Sequence, residues 1–200
     1  MSISPKSPIR PTVLNFPPNG IGAVSAGALG DPDVIPLWFG ETDLVTPDFI
    51  RDAAKRALDE GKTFYTHARG IMPLREALRD FHKRVEGVDL DQDRITVPGA
   101  AMMAVTSALQ CVVETGDNVV CISPVWPNIF QAAEICGAQV RFARLEEDWR
   151  ASPPRWHLNM EKLFATCDAR TKAIFIASPG NPTGWIMSRD EQKTLLEFTR

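Results

Sequence analysis

The residues whose types and spacing could do chemistry fall in three turns, each directly after a short apolar run. The last of them is the most specific. Ser178-Pro179-Gly180-Asn181-Pro182-Thr183-Gly184 follows Lys172-Ala173-Ile174-Phe175-Ile176-Ala177, a strand-like segment. Gly180 and Gly184 permit backbone angles closed to other residues. Pro182 fixes its own φ and restricts Asn181 before it. Ligands of open α/β sheets bind beyond the carboxyl ends of the strands, so an Asn on such a turn is placed to touch one. The alternative is a tight connection in which Asn181 bonds only its own backbone.

Pro98-Gly99-Ala100-Ala101 stands between Ile95-Thr96-Val97, which reads as a strand, and a helical pattern over 101–113. A strand–glycine–helix junction presents free backbone N–H groups at the positive end of the helix, a phosphate cradle that needs no side chain; an ordinary strand-to-helix turn has the same composition. Ser123-Pro124-Val125-Trp126-Pro127 follows a third strand-like run. The Trp126 ring could stack on a flat heterocycle or simply pack in the core. Tyr65, the only tyrosine, lies in Tyr65-Thr66-His67-Ala68-Arg69-Gly70, with Leu74-Arg75 following. Gly40-Glu41-Thr42-Asp43 and Pro47 form a loop ahead of a helix start. Gly20-Ile21-Gly22 lacks the third glycine of a dinucleotide fingerprint, since Ser25 stands there and no strand precedes it. No Walker-type phosphate loop is present.

Taken in order, these segments resemble the signatures of the class I/II aminotransferases, fold type I enzymes dependent on pyridoxal 5'-phosphate (PLP). The resemblance rests on Ser-Pro-x-Asn-Pro-Thr-Gly at 178–184, the glycine turn at 98–101, the aromatic at Trp126, Tyr-x4-Gly-x3-Leu-Arg from Tyr65, and Gly-x-x-Asp-x-x-x-Pro from Gly40. It implies that Gly99 and the N–H groups of Ala100 and Ala101 hold the cofactor phosphate, without the hydroxyl that relatives often add. Trp126 would stack on the pyridine ring, and Asn181 would hydrogen-bond the phenolic oxygen. Tyr65 would reach the phosphate of the partner subunit in a homodimer. Gly40, with Trp126 and Asn181, would line the substrate site. Val125 and Ala68 depart from the residues relatives usually carry there. The implied reaction moves an amino group between an L-amino acid and a 2-oxo acid. The same segments serve C–S lyases that eliminate at the β-carbon, and a non-catalytic remnant would keep them too. The family's Schiff-base Lys, and the Asp and Arg that hold the pyridine nitrogen and the substrate carboxylate, lie well after the Asn-Pro-Thr-Gly turn, so none is expected within these residues. These 200 residues alone are therefore expected not to transaminate; steady turnover of any amino acid by the isolated chain would overturn this.

The elements that must position these turns read as follows. Residues 1–45, rich in Pro and Gly, form an arm and small-domain segment, and 46–200 form the cofactor-binding large domain. Thr46-Pro47-Asp48 starts a helix as cap, first-position Pro and first-turn acid. Phe49, Ile50, Ala53, Ala54, Ala57 and Leu58 make its apolar face, and Gly61 closes it. A second helix spans 73–84 with Leu74, Ala77, Leu78 and Phe81 inward. From 95 onward strands (95–97, 118–122, 138–142, 172–177) alternate with helices (101–113, 126–136, a short one capped by Asn159, and one opened by the Ser188-Arg189-Asp190-Glu191 capping box). Glu146–Pro154 reads as a polar connection. This alternation predicts a three-layer αβα fold with a mainly parallel sheet. Leu195, Leu196 and Phe198 precede Arg200 with no Gly or Pro to stop the last helix, so the chain reads as part of a larger protein or one cut short.

Composition sets outer limits. An apolar fraction of 44% and a charged fraction of 24% are those of an ordinary globular chain. A net charge of −3 argues against a general nucleic-acid binder. No apolar run approaches the roughly 20 residues of a membrane span, and no signal-peptide pattern opens the chain. Cys111, Cys121, Cys136 and Cys167 show no paired spacing and suit a reduced, cytoplasmic setting. His67, His82 and His157 have no metal-ligand spacing.

Overall fold

A computed structural model describes residues 8–17 and 20–200. It divides into two compact units, one of residues 17–99 and one of residues 1–16 with 100–200.

In the second unit a parallel sheet of three strands lies between two pairs of helices. The short α1 (Pro11–Leu14) is the first element among the described residues; α5 (Ala101–Val112), β1 (Asn118–Ser123), α6 (Pro127–Ile135), β2 (Gln139–Arg144), α7 (Met160–Thr166), β5 (Thr171–Phe175) and α8 (Arg189–Phe198) build the body. The strand order is β2-β1-β5, all parallel. Side chains of β1 alternate between the faces, as a strand's period of two dictates. Val119 and Cys121 join Leu109 of α5 and Ile129, Ala132 and Ala133 of α6 in one core. Val120 and Ile122 join Leu163 of α7, with Leu195 of α8, in the other. Leu163, Val119 and Val120 are completely buried, and each such aliphatic side chain contributes about 1.5–3 kcal/mol. The expected three-layer αβα arrangement is therefore present. The expected strand at 95–97 does not pair with the sheet: Val97 N–H donates instead to the Arg69 carbonyl (3.0 Å). The expected polar connection after 146 contains an antiparallel ribbon, β3 (Glu146–Asp148) with β4 (Arg155–His157).

Local rules set most helix ends. Asn159 Oδ1 accepts from the Lys162 N–H (3.0 Å). At Ser188 both halves of the capping box form, Glu191 N–H to Ser188 Oγ (3.2 Å) and Ser188 N–H to Glu191 Oε2 (2.7 Å). The amino edge of the sheet is tied by a polar cluster. Buried Asn118 donates to Asp168 Oδ1 (2.8 Å) and accepts from the Thr171 hydroxyl (2.7 Å), while Arg141 pairs with Asp168 Oδ2 (2.6 Å).

The unit of residues 17–99 holds α2 (Gly20–Ala26), α3 (Asp48–Asp59), α4 (Met72–Glu86) and one 3-10 turn, Gln92–Arg94. In α3 the N-cap position is Pro47, so Thr46 does not cap it. Gly61 closes it at φ +71°, where a side chain would be strained. Its apolar face is not buried: Phe49, Ile50 and Leu58 are exposed. In α4 the inward side is rotated by one residue from the expected stripe. Leu74, Ala77 and Phe81 are exposed, Leu78 is half-buried, and Arg75 is the buried residue. Among the described residues no helix is long and apolar enough to cross a membrane.

Candidate cofactor site at the carboxyl edge of the sheet

Strand order alone locates a crevice. After β1 the chain turns to the face carrying α6; after β5 it turns to the face carrying α8. Adjacent parallel strands whose continuations leave to opposite faces open a gap beyond their carboxyl ends, the general ligand position of such sheets. The turn after β1 carries Trp126 and the turn after β5 carries Asn181. They meet: Trp126 N–H donates to the Asn181 carbonyl at 3.0 Å. Trp126 is the N-cap of α6 and is half-buried against the α5–α6 core. Pro127 follows at the first helical position, where its fixed φ suits the helix and its missing N–H is not needed.

The Asn181 turn is held from within. Gly180 N–H donates to the Trp185 carbonyl and Gly184 N–H to the Gly180 carbonyl, both at 2.7 Å. Ser178 Oγ accepts from the Met187 N–H (2.9 Å). Gly184 has a φ of +70°, as expected. Gly180 does not need a left-handed angle; its requirement is space, because a Cβ there would lie 2.6 Å from Thr183 Oγ1. Every bond holding the turn uses backbone or the side chains of Ser178 and Thr183. Among the described residues the Asn181 amide has no hydrogen-bond partner, so the alternative of an Asn satisfied by its own backbone is not what forms.

The first turn of α5 supplies a second set of donors. Residues 113–117 lead from its carboxyl end to the amino end of β1, and α5 packs on β5. Its amino end therefore points to the same carboxyl edge as the other two turns. Ala100 is the N-cap, extended and without a side-chain cap bond. Met103 and Ala104 N–H both turn back to the Ala100 carbonyl (3.0 and 3.2 Å). The N–H groups of Ala100, Ala101 and Met102 have no acceptor among the described residues. Three free N–H groups, an unpaired amide and a half-buried indole are a donor set and a flat surface suited to an anionic, planar heterocycle. PLP fits that description.

The other sequence-derived candidates lie in the unit of residues 17–99. Tyr65 is fully exposed and its hydroxyl has no partner among the described residues. Gly40 is exposed and its missing side chain would meet nothing within 4 Å. Gly99 is exposed at the end of that unit. Sequence reasoning missed two features. One is Thr183, whose Oγ1 accepts from the Trp185 N–H (3.3 Å) and fills the space at Gly180. The other is the buried role of Arg75, which the sequence offered only as the last residue of the Tyr-x4-Gly-x3-Leu-Arg spacing. A hollow of about 410 Å³ lies beside the crevice, on the β2 side, against Phe130, Phe142 and Trp156.

A family model described as aminotransferase class I and II matches residues 32–200. A probable aspartate aminotransferase of Methanocaldococcus jannaschii is 34% identical over 170 residues, 85% of this chain and 44% of that protein. The aspartate aminotransferase of Pyrococcus horikoshii is 34% identical over 167 residues, 83% of this chain and 41% of its own length. The solved aspartate aminotransferase from Thermus thermophilus with maleate aligns at a TM-score of 0.84 and 28% identity, over 96% of this chain and 50% of that one. The chain thus spans half or less of the length of these relatives.

Proposed function

Because this chain belongs to the class I and II aminotransferases, we propose that it forms the cofactor-holding part of a PLP-dependent aminotransferase that exchanges an amino group between an L-amino acid and a 2-oxo acid. The observation that carries this reading is the 3.0 Å bond from Trp126 N–H to the Asn181 carbonyl, which makes one edge of the two turns beyond β1 and β5. PLP, when bound, supplies an electron sink for negative charge at the α-carbon of the amino acid. The chain's own residues bind and orient. The N–H groups of Ala100 and Ala101, after Gly99, would take the phosphate at the positive end of α5. The Trp126 indole would cover one ring face and exclude water from it. The Asn181 amide would donate to the phenolic oxygen, favouring its ionised form. Trp126 and Asn181 would line the space for the amino acid. Tyr65, exposed to solvent, would serve the phosphate of a partner subunit in a homodimer; the four free cysteines suit a reduced, cytoplasmic setting.

The test is an absorbance titration of the protein, as its host produces it, with PLP. Saturable binding is expected, weakened about tenfold in Asn181→Ala, with 2-oxo acid formed from an amino acid in the presence of an acceptor 2-oxo acid. No saturable binding would overturn the reading.

A further inference from the structure

Two arginines outside the three turns act on the segments that lead into two of the proposed phosphate contacts. Arg75 is 3% exposed. Its Nε donates to the Ile95 carbonyl at 2.9 Å and its Nη2 to the Gln92 carbonyl at 2.6 Å. Asp93 Oδ1 stands 3.9 Å from Nη2. A guanidinium taken out of water is tolerated only when its N–H groups find acceptors in good geometry. Its planar fork reaches two carbonyls at once, which a lysine ammonium on a single flexible stem does not reproduce. The side chain therefore fixes the backbone of 92–95 against α4.

Arg69 works on the same stretch from the outside. It donates to Thr96 Oγ1 and Asp93 Oδ1, both at 3.2 Å, and to the Asp93 carbonyl. The Arg69 carbonyl accepts from Val97 N–H at 3.0 Å. Gly70 sits at φ +94°, and a Cβ on it would come within 2.9 Å of Val97 Cβ. The backbones at 69–70 and 96–97 thus approach as closely as glycine allows. Residues 69–75 and 92–97 form one clamped piece.

Tyr65 lies four residues before Arg69, and Gly99 two residues after Val97. Tyr65, Gly99 and Ala100 are themselves exposed, and no side-chain bond caps Ala100. Their placement is set at their roots. We infer that Arg75, assisted by Arg69, is a positioning residue for phosphate recognition: it holds the root of the Tyr65 loop against the root of the Gly99 turn. This rests on the reading above, in which those two segments meet a phosphate. In a homodimer Tyr65 serves the partner's phosphate and the Gly99 turn its own, so a single clamp ties the two phosphate sites together.

The experiment compares PLP with pyridoxal, which lacks the phosphate, by absorbance titration of the protein as its host makes it and of Arg75→Lys. The expected result is a Kd for PLP raised about tenfold, the scale on which loss of a supporting shell acts, with pyridoxal changed less than about twofold. Equal loss for both ligands means a general structural role and overturns the inference, as does no change for either. Wild-type protein that binds PLP no better than pyridoxal overturns the phosphate assignment itself. If Arg75→Lys does not fold, Arg69→Ala, at a more exposed side chain, is read the same way: a smaller PLP-selective loss supports the clamp, and an unselective or absent one overturns it.

Discussion

Gly180→Ala tests the packing of the Asn181 turn at a single atom. The added methyl would sit 2.6 Å from Thr183 Oγ1, while its next neighbours, the carbonyls of Trp185 and Ala177, lie at 3.5 and 3.6 Å, ordinary contact. Only the threonine oxygen is in the way. Forcing an extra methyl into a tight site costs about 1–3 kcal/mol. The φ at Gly180 is not left-handed, so Ala also removes unfolded-state freedom and returns about 0.4–1 kcal/mol. The expected net loss is about 1–2 kcal/mol. Thr183→Ala deletes the obstructing oxygen and the 3.3 Å bond it accepts from Trp185 N–H, a loss of about 0.5–1 kcal/mol. In that background Gly180→Ala has no clash and becomes neutral or stabilising. Urea unfolding of the four proteins closes the cycle, with a coupling equal to the clash, about 1–3 kcal/mol. If Gly180→Ala costs as much in the Thr183→Ala background as in the parent protein, the clash is not the reason for the glycine and the argument fails.

Further outcomes follow from the same geometry. The Asp168 carboxyl is held down to about 2 from its ordinary 3.8, first by Asn118 and then by the Arg170 N–H and Arg141. Its stabilising contribution is complete above the free value and drains away as pH falls through about 2. Acid titration of stability should therefore lose slope between those values in Asp168→Asn; an unchanged profile refutes the cluster's role. Ser188→Ala removes half of the capping box and should cost about 1 kcal/mol in chemical denaturation, and a cost near zero would mean that α8 is fixed by packing alone. Leu163→Ala empties a completely buried position and should cost about 2–5 kcal/mol, with a clear drop in the unfolding midpoint. Burial, with Glu134 nearby, pushes the Cys121 thiol up to about 11, whereas Cys111 is exposed. Iodoacetamide should label Cys111 first in the native protein, and rapid labelling of Cys121, read by peptide mass, would contradict the buried β1.

The sequence by itself determined the parts whose physics is local. The caps at Asn159 and Ser188 close bonds within a few residues. The glycine that ends α3 needs only its own φ. The apolar run expected at 118–122 is the buried β1, which buries both faces, and the strands expected at 138–142 and 172–177 form as β2 and β5 with ends moved by one or two residues. The motifs around Trp126, Asn181 and Ala100 were legible for the same reason, as residue types fixed by turns. Tertiary structure decided what depends on partners distant in the chain. Residues 95–97 have strand composition, yet pairing is a property of two segments, and Val97 spends its N–H on Arg69. The periodicity of α4 marked Leu74, Ala77 and Phe81 as its inner side, but the carbonyls of Gln92 and Ile95 draw Arg75 inward and turn the helix by a residue. In the sequence Gly180 is a matter of backbone angle, and only the fold shows that Thr183 fills the space a side chain would need. The meeting of Trp126 with Asn181, 55 residues apart, follows from strand order β2-β1-β5, which places their turns side by side. No local pattern encodes that order, because it is chosen by how the two cores pack against opposite faces of β1.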